Sequence, residues 1–309
     1  MRNPGVSVVI PAHNYAHFLP DAIASALAQS WDWFEVVVVD DGSTDETPSV
    51  VARIPDGRVR YIHQDNAGLS AARNTGIREA CHDFIAFLDA DDAWQPEFLE
   101  AVMQQFATLG ENFGLIAAAT SRMDRSGQAL AAPKFSFERA GELTVQDFCL
   151  RNRPLSSSIV VRRAVFEKCG GFDTALRSSE DRDLWIRATT AGFRFWFLNQ
   201  PLAAIRRHGG NMSKNAPRMK ANSRAVLLKA WRAGAVPKWT PFWLRAFSVH
   251  FFQIAWTHFD GGYRIRAFCY LATSVLVWPV HSSPHRFFEP HLFRARAFAN
   301  FVYRTIAGR

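Results

Sequence analysis

Cysteine is scarce: four residues in 309, and Cys81, Cys149, Cys169 and Cys269 stand far apart with no paired spacing. That excludes a disulfide framework and a zinc knuckle, and it fits a reducing cytoplasm. Long apolar runs are missing as well. The uncharged stretches 246–259 and 267–280 hold 14 residues each, short of the roughly 20 that a membrane-spanning helix needs. Met1-Arg2-Asn3-Pro4 leads straight into a strand-like run, which leaves no room for the apolar core of a secretory signal, so the body of the chain is expected in the cytosol. With 48% apolar and 21% charged residues, disorder, collagen and coiled-coil architectures are excluded too.

What the sequence does have is unevenly distributed. The formal charge is +8, yet residues 236–309 hold nine Lys or Arg against two acids, so the first 235 residues are close to neutral. The same segment holds 18 of the 41 aromatic residues. Two regions of different character are joined, and the basic one suits an anionic partner.

Along the body, short β-branched runs alternate with helical periodicity. Residues 6–10, 34–39, 59–62, 84–88 and 115–119 read as strands, and 21–29, 70–80 and a segment opened by Pro96 as helices between them. Strand, helix, strand is the signature of an α/β fold with a mostly parallel sheet. Beyond residue 120 the alternation loosens. Residues 134–142 read as an irregular loop, 144–150 as a short helix, 157–162 as a strand, 164–169 and 180–191 as helices ended by glycine, and 193–198 as a late strand.

Ligands of open α/β sheets bind beyond the carboxyl ends of the strands. Three such ends are polar here: Pro11-Ala12-His13-Asn14-Tyr15, Asp40-Asp41-Gly42-Ser43-Thr44-Asp45 and Asp89-Ala90-Asp91-Asp92. None carries a glycine-rich phosphate cradle, so nicotinamide and P-loop chemistry lose support. The Asp41–Asp45 stretch serves equally as a turn and helix cap. Three carboxylates in four residues after an apolar strand repel one another and call for a cation, with Mg²⁺ or Mn²⁺ the fitting choice for oxygen ligands that also meet substrate phosphates.

These stretches, with Asn66-Ala67-Gly68-Leu69-Ser70-Ala71-Ala72-Arg73-Asn74, Gly170-Gly171-Phe172-Asp173 and Glu180-Asp181-Arg182-Asp183-Leu184-Trp185, resemble in order the signatures of family 2 glycosyltransferases. The resemblance covers about residues 5–210. It implies a GT-A fold, Rossmann-like with a mostly parallel central sheet: a nucleotide-binding part over about 1–120 and an acceptor part over about 121–215; residues 216–309, which it does not reach, read from their composition as a helical region. It also implies metal-dependent, inverting transfer from a nucleotide sugar, UDP being the usual nucleotide, to a glycan or lipid-linked glycan of the cell envelope.

By position, the resemblance sets Pro11 and His13 against the nucleobase and lets Asp41 accept a base N–H. Arg73 falls near the diphosphate and Asp89 near the ribose. Asp91 falls on the metal, with His208 completing the metal shell, and the pair Arg206-Arg207 is a candidate phosphate holder. Asp181 is the expected base for the acceptor hydroxyl, at the start of a helix that Ser178-Ser179 can cap. Glu180 is its neighbouring competitor and a candidate for the acceptor, and Trp185 either floors an acceptor sugar or fills core.

The resemblance says little beyond about residue 215. Trp239, Trp243, Phe251, Phe252 and Trp256 interleaved with Lys238, Arg245, Arg264 and Arg266 suit interfacial helices on the inner face of a membrane. The competing readings are packing on the body, a dimer interface, or a nucleic-acid binder with a non-catalytic glycosyltransferase-like domain. The carboxylate-lined strand ends argue against nucleic acid.

Overall fold

The computed structural model describes residues 4–131, 140–151, 154–210, 216–279 and 293–307. Most of the expected 134–142 loop, and Asn211-Met212-Ser213, lie outside the described residues. In chain order the elements are β1 (Val6–Ala12), α1 (Leu19–Leu27), β2 (Phe34–Asp41), α2 (Thr47–Ala52), β3 (Val59–Gln64), α3 (Leu69–Glu79), β4 (Phe84–Phe87), β5 (Ala93–Trp94), α4 (Phe98–Leu109), β6 (Phe113–Met123), β7 (Ala129–Leu130), β8 (Gly141–Leu143), α5 (Val145–Leu150), β9 (Ile159–Arg162), α6 (Arg163–Cys169), α7 (Glu180–Thr190), β10 (Arg194–Arg206), α8 (Ala216–Arg232), α9 (Phe242–Asp260), α10 (Arg264–Val277) and α11 (Phe293–Ile306). They form two compact units, Met1–Thr144 with Arg153–His208, and Val145–Asn152 with Gly209–Arg309.

The first unit is built on one sheet in the order β3-β2-β1-β4-β9-β6-β10-β5, with β7 beside β6 and β8 beside β10. Every residue of β1 and of β2 is buried, which is why their sequences are nearly unbroken apolar runs. The sheet is parallel from β3 to β4 and between β6 and β10, and antiparallel where β9 joins these halves. It is thus mostly parallel along its main strand order, as the sequence suggests, with β9 entering from the opposite end.

Register positions the site. Ala12 of β1 lies opposite Asp40 of β2, and the Leu88 N–H donates to the Val9 carbonyl at 3.1 Å. The polar stretches after β1, β2 and β4 thus leave the sheet at one edge. Helix α3 packs close against β1 at Gly76, where a Cβ would stand 2.2 Å from Val9 Cγ1. Gly76→Ala should therefore destabilise the protein by roughly 1–3 kcal/mol, the usual cost of overpacking. A urea midpoint equal to wild type would show that α3 rides off the sheet without penalty.

The second unit is helical. α9, α10 and α11 share a core of Ala255, Phe259, Ala267, Leu271, Ala297 and Phe301, with Phe259 and Phe301 stacked at 4.1 Å. Arg294 is buried and spends its donors on Ser248 Oγ, Ser274 Oγ and the Trp278 carbonyl. α5 joins this unit, where the Leu150 carbonyl accepts from Gln253 Nε2 at 3.1 Å. Among the described residues no helix is long and apolar enough to cross a membrane.

Candidate active site

The ends of β1 and β2 are stitched to each other. Asn14, in the left-handed region at φ 58°, accepts the Thr44 N–H at 2.8 Å, Ser43 Oγ accepts the Asn14 N–H at 3.0 Å, and Asp45 accepts the Ala16 N–H at 3.0 Å. Asp45 also accepts the Thr47 N–H and hydroxyl, so part of this stretch is the turn that leads into α2. Asp40 is fully buried and accepts from the Ser43 N–H and the Tyr61 hydroxyl.

Pro11 lies buried in β1 opposite Val39, while the His13 ring is exposed beyond the strand end. Its Nδ1 is 2.8 Å from the Asp41 carbonyl and 3.1 Å from Asn66 Nδ2. The Asp41 carboxylate turns toward the loop before α3. It accepts from the Ala67 N–H at 2.9 Å, the Gly68 N–H at 2.8 Å and Gln64 Nε2 at 2.7 Å. Three donors leave a carboxylate one further acceptor position for an outside N–H.

The acids after β4 are divided between an arginine and a histidine. Asp89 accepts Arg73 Nη2 at 2.6 Å; Asp91 Oδ2 is 2.8 Å from His208 Nε2. Asp92, nearly buried, accepts the Arg206 N–H at 2.9 Å. Burial and then the Asp89 carboxylate push the Asp91 acid up, against His208, and burial with Asp91 and Asp89 pushes Asp92 well above the carboxylate range. Tyr15 feels the same crowd: burial, then Asp91, Asp89 and Asp92, raise its phenol to about 12. Arg206 is itself buried, over the Phe18 ring, and donates to the Asp91 carbonyl, the Arg125 carbonyl and Asp21. Arg206 of the expected phosphate-holding pair instead spends its side-chain donors tying the acidic turn to α1 and to the turn after β6.

Arg73 is 2% exposed and forks between two carboxylates, Asp89 and, at 2.6 Å, Glu180 of α7. Burial works against its charge, but Asp89 and Glu180 outweigh it and raise the guanidinium further. The fork ties the acidic turn after β4 to the helix that carries Asp181. A second tie lies next to it, where Asn74 exchanges two hydrogen bonds with the backbone of Phe172 and a Cβ on Gly171 would stand 2.2 Å from Asn74 Oδ1. That close approach is why glycine precedes Phe172.

Asp181 is 7% exposed and accepts the Arg182 N–H at 2.7 Å. Burial and the neighbouring Glu180 raise its acid to about 7, with Arg73 pulling the other way. The expected serine cap is absent: Ser179 sits at φ 61° and makes no side-chain cap bond. A left-handed serine before the acid pair is local strain at the place where chemistry is expected. Trp185 corrects a second expectation. It is fully buried, edge-on to Phe172 and Phe195, and donates to the Pro154 carbonyl. It fills core and offers no floor to a sugar.

Sequence reasoning missed three parts of this arrangement: the Arg73 fork, the Asp21–Arg206 pair and the Asn74 clasp. Each joins residues far apart in the chain. The only signal in the sequence was their polar character within otherwise apolar or helical surroundings.

An α/β half whose strands end in acids, continued through a mixed sheet to a helix opened by a buried acid pair, is the GT-A glycosyltransferase architecture. The chain belongs to glycosyl transferase family 2, whose description matches residues 7–168. It is 32% identical over 222 residues to an uncharacterized glycosyltransferase of Nostoc, covering 68% of this chain and 67% of that protein. It is 36% identical over 199 residues to the succinoglycan biosynthesis protein ExoO of Rhizobium meliloti, covering 62% of this chain and 57% of that one. Among solved structures it is similar to the mannosyltransferase PcManGT of Pyrobaculum calidifontis in complex with GDP-Man and Mn²⁺, with TM-score 0.67 and 20% identity over 99% of this chain and 81% of that one. It is likewise similar to S. aureus TarS in complex with UDP-GlcNAc, with TM-score 0.59 and 19% identity over 88% and 89%. These structural likenesses show the fold.

Proposed function

We propose that this glycosyltransferase moves a sugar, with inversion, from a UDP-sugar to a hydroxyl of a glycan or lipid-linked glycan in cell-envelope polysaccharide synthesis. The observation that carries the reading is the Arg73 fork, which joins Asp89 of the acidic turn after β4 and Glu180, the neighbour of Asp181 on α7, on one guanidinium. The relative active in succinoglycan biosynthesis supports the polysaccharide class, and the neighbours solved with UDP-GlcNAc and GDP-Man support a nucleotide-sugar donor.

In this reading Pro11 and His13 face the nucleobase, Asp41 receives a base N–H on its free acceptor position, and Asp89 meets the ribose. Asp91 and His208 would hold a divalent cation. Their donor set fits one: a carboxylate and an imidazole side by side, in a turn whose acids are raised by mutual repulsion and burial. Manganese suits the imidazole better than magnesium does. When bound, the cation neutralises charge on the leaving diphosphate. The acceptor oxygen attacks the anomeric carbon from the face opposite the leaving nucleotide, and Asp181 takes its proton. Arg73 acts from behind, holding Asp89 and Glu180 in place. The basic, aromatic C-terminal region attaches the enzyme peripherally to the inner face of the membrane, where lipid-linked acceptors are met.

The test is a donor panel of UDP, GDP and dTDP sugars with Mn²⁺ or Mg²⁺, reading released nucleotide. One UDP-sugar should dominate, and release with every donor at background would sink the reading. Asp91→Ala should raise the metal concentration for half-maximal turnover by at least about 10-fold, since even outer-shell partners of a metal are worth that much. An unchanged metal titration would remove Asp91 from the metal shell.

A further inference from the structure

Amphipathic helices normally turn their apolar stripe inward. α10 and α11 have an inward stripe, Ala267 and Leu271 on one and Ala297 and Phe301 on the other, and a second apolar stripe facing out. On α10, Ile265, Cys269, Ala272 and Leu276 recur at i, i+4, i+7 and i+11, and all four are exposed, Ile265 at 82% and Leu276 at 81%. On α11 the outward sector carries Phe298, Val302 and Ile306, the last 81% exposed. The Phe268 and Phe298 rings meet edge to face at 5.8 Å, so the two stripes form one continuous surface.

We propose that this outward face of α10 and α11 is the surface that seats the protein on an anionic lipid bilayer, the aliphatic side chains entering the acyl boundary. This deepens the peripheral-attachment part of the proposed function and rests on it. Charge selects the occupant. Helices α8 to α11 carry eleven Lys or Arg against a single acid, Asp260, which Arg304 pairs at 3.0 Å. Arg266 and Arg296 flank the apolar stripes and are exposed, at the level where anionic headgroups lie over a buried helix face. A second copy is a poorer occupant, because a self-complementary contact would bring the Arg266 and Arg296 of both copies together without acids to offset them. Nucleic acid is poorer too, since the two stripes are mostly aliphatic, with Phe298 the one ring among Ile265, Leu276, Val302 and Ile306, where stacking grooves are built from successive rings.

The experiment is flotation of the 309-residue protein with vesicles of phosphatidylcholine alone or mixed with phosphatidylglycerol. Wild type should float with the mixed vesicles. Ile265→Glu with Leu276→Glu should lower that partition at least about 10-fold, because two aliphatic chains leave the acyl boundary. Arg266→Gln with Arg296→Gln should weaken it only in the anionic arm. All four positions are exposed, so melting temperatures should match wild type, and nucleotide release from the donor panel with a soluble acceptor should be unchanged. Failure of the wild-type protein to float overturns the proposal, as does a light-scattering dimer that the Glu pair dissociates while flotation persists. The donor panel reports separately on the glycosyltransferase reading, so neither failure is mistaken for the other.

Discussion

Asp181→Asn should lower turnover by about 10²–10⁴-fold, the range that a positioned general base contributes, while leaving nucleotide-sugar binding within a small factor of wild type. The amide keeps the volume and the bond from the Arg182 N–H but cannot take a proton. The wild-type acid is raised to about 7 by burial and by Glu180. Only the carboxylate accepts the acceptor's proton, so the rate should climb as pH rises through about 7 and level off above it. In Asp181→Asn the residual rate should lose that limb. Glu180→Gln separates the pair: it removes the carboxylate whose charge, after burial, raises the Asp181 acid most, so the limb of the surviving Asp181 should move to lower pH while turnover at high pH persists. Stopped turnover in Glu180→Gln with normal turnover in Asp181→Asn would exchange the two assignments.

Much of this arrangement was legible because strands and their ends announce themselves. Buried parallel strands read as apolar runs, and acids placed directly after them have no packing reason to be there. That pattern located β1, β2, β3, β4, β6 and the turn at Asp89–Asp92 within a few residues. Two-residue strands such as β5 and β7 have no periodicity to read, and α2 hides in a turn-like stretch opened by Thr47-Pro48. The mixed order of the sheet was not legible either, since strand direction is decided by where β9 re-enters. Trp185 shows another limit. The sequence left open whether it floors an acceptor sugar or fills core, and only its burial against Phe172 and Phe195 decides for core. His208 meets Asp91 across 117 positions, and only family resemblance brought them together; Arg73 meets Glu180 across 107, and nothing in the sequence pointed to it.

Arg73→Met should be the most destabilising single change in the first unit, by roughly 3–5 kcal/mol, the usual cost of removing one partner from a buried ion network. The methionine fills much of the volume but strands two carboxylates. Glu180, whose side chain is only 8% exposed, loses its 2.6 Å partner, and Asp181 beside it loses a nearby positive charge. The Asp181 acid should then rise further. The folded state of the variant holds protons that the unfolded chain has already released, so its stability should recover as pH falls toward the carboxylate range and worsen above neutrality. The same change moves the catalytic limb: without Arg73 the Asp181 ionisation, near 7 in the wild type, shifts to higher pH. Arg73→Lys restores charge but not the fork, since one ammonium cannot present parallel donors to Asp89 and Glu180. It should recover part of the stability and leave turnover low. Urea unfolding at several pH values, read beside the pH–rate profile, checks all three statements. A variant as stable as wild type at pH 8 would show that the two acids do not depend on Arg73 and would dissolve the link between the acidic turn and the catalytic helix.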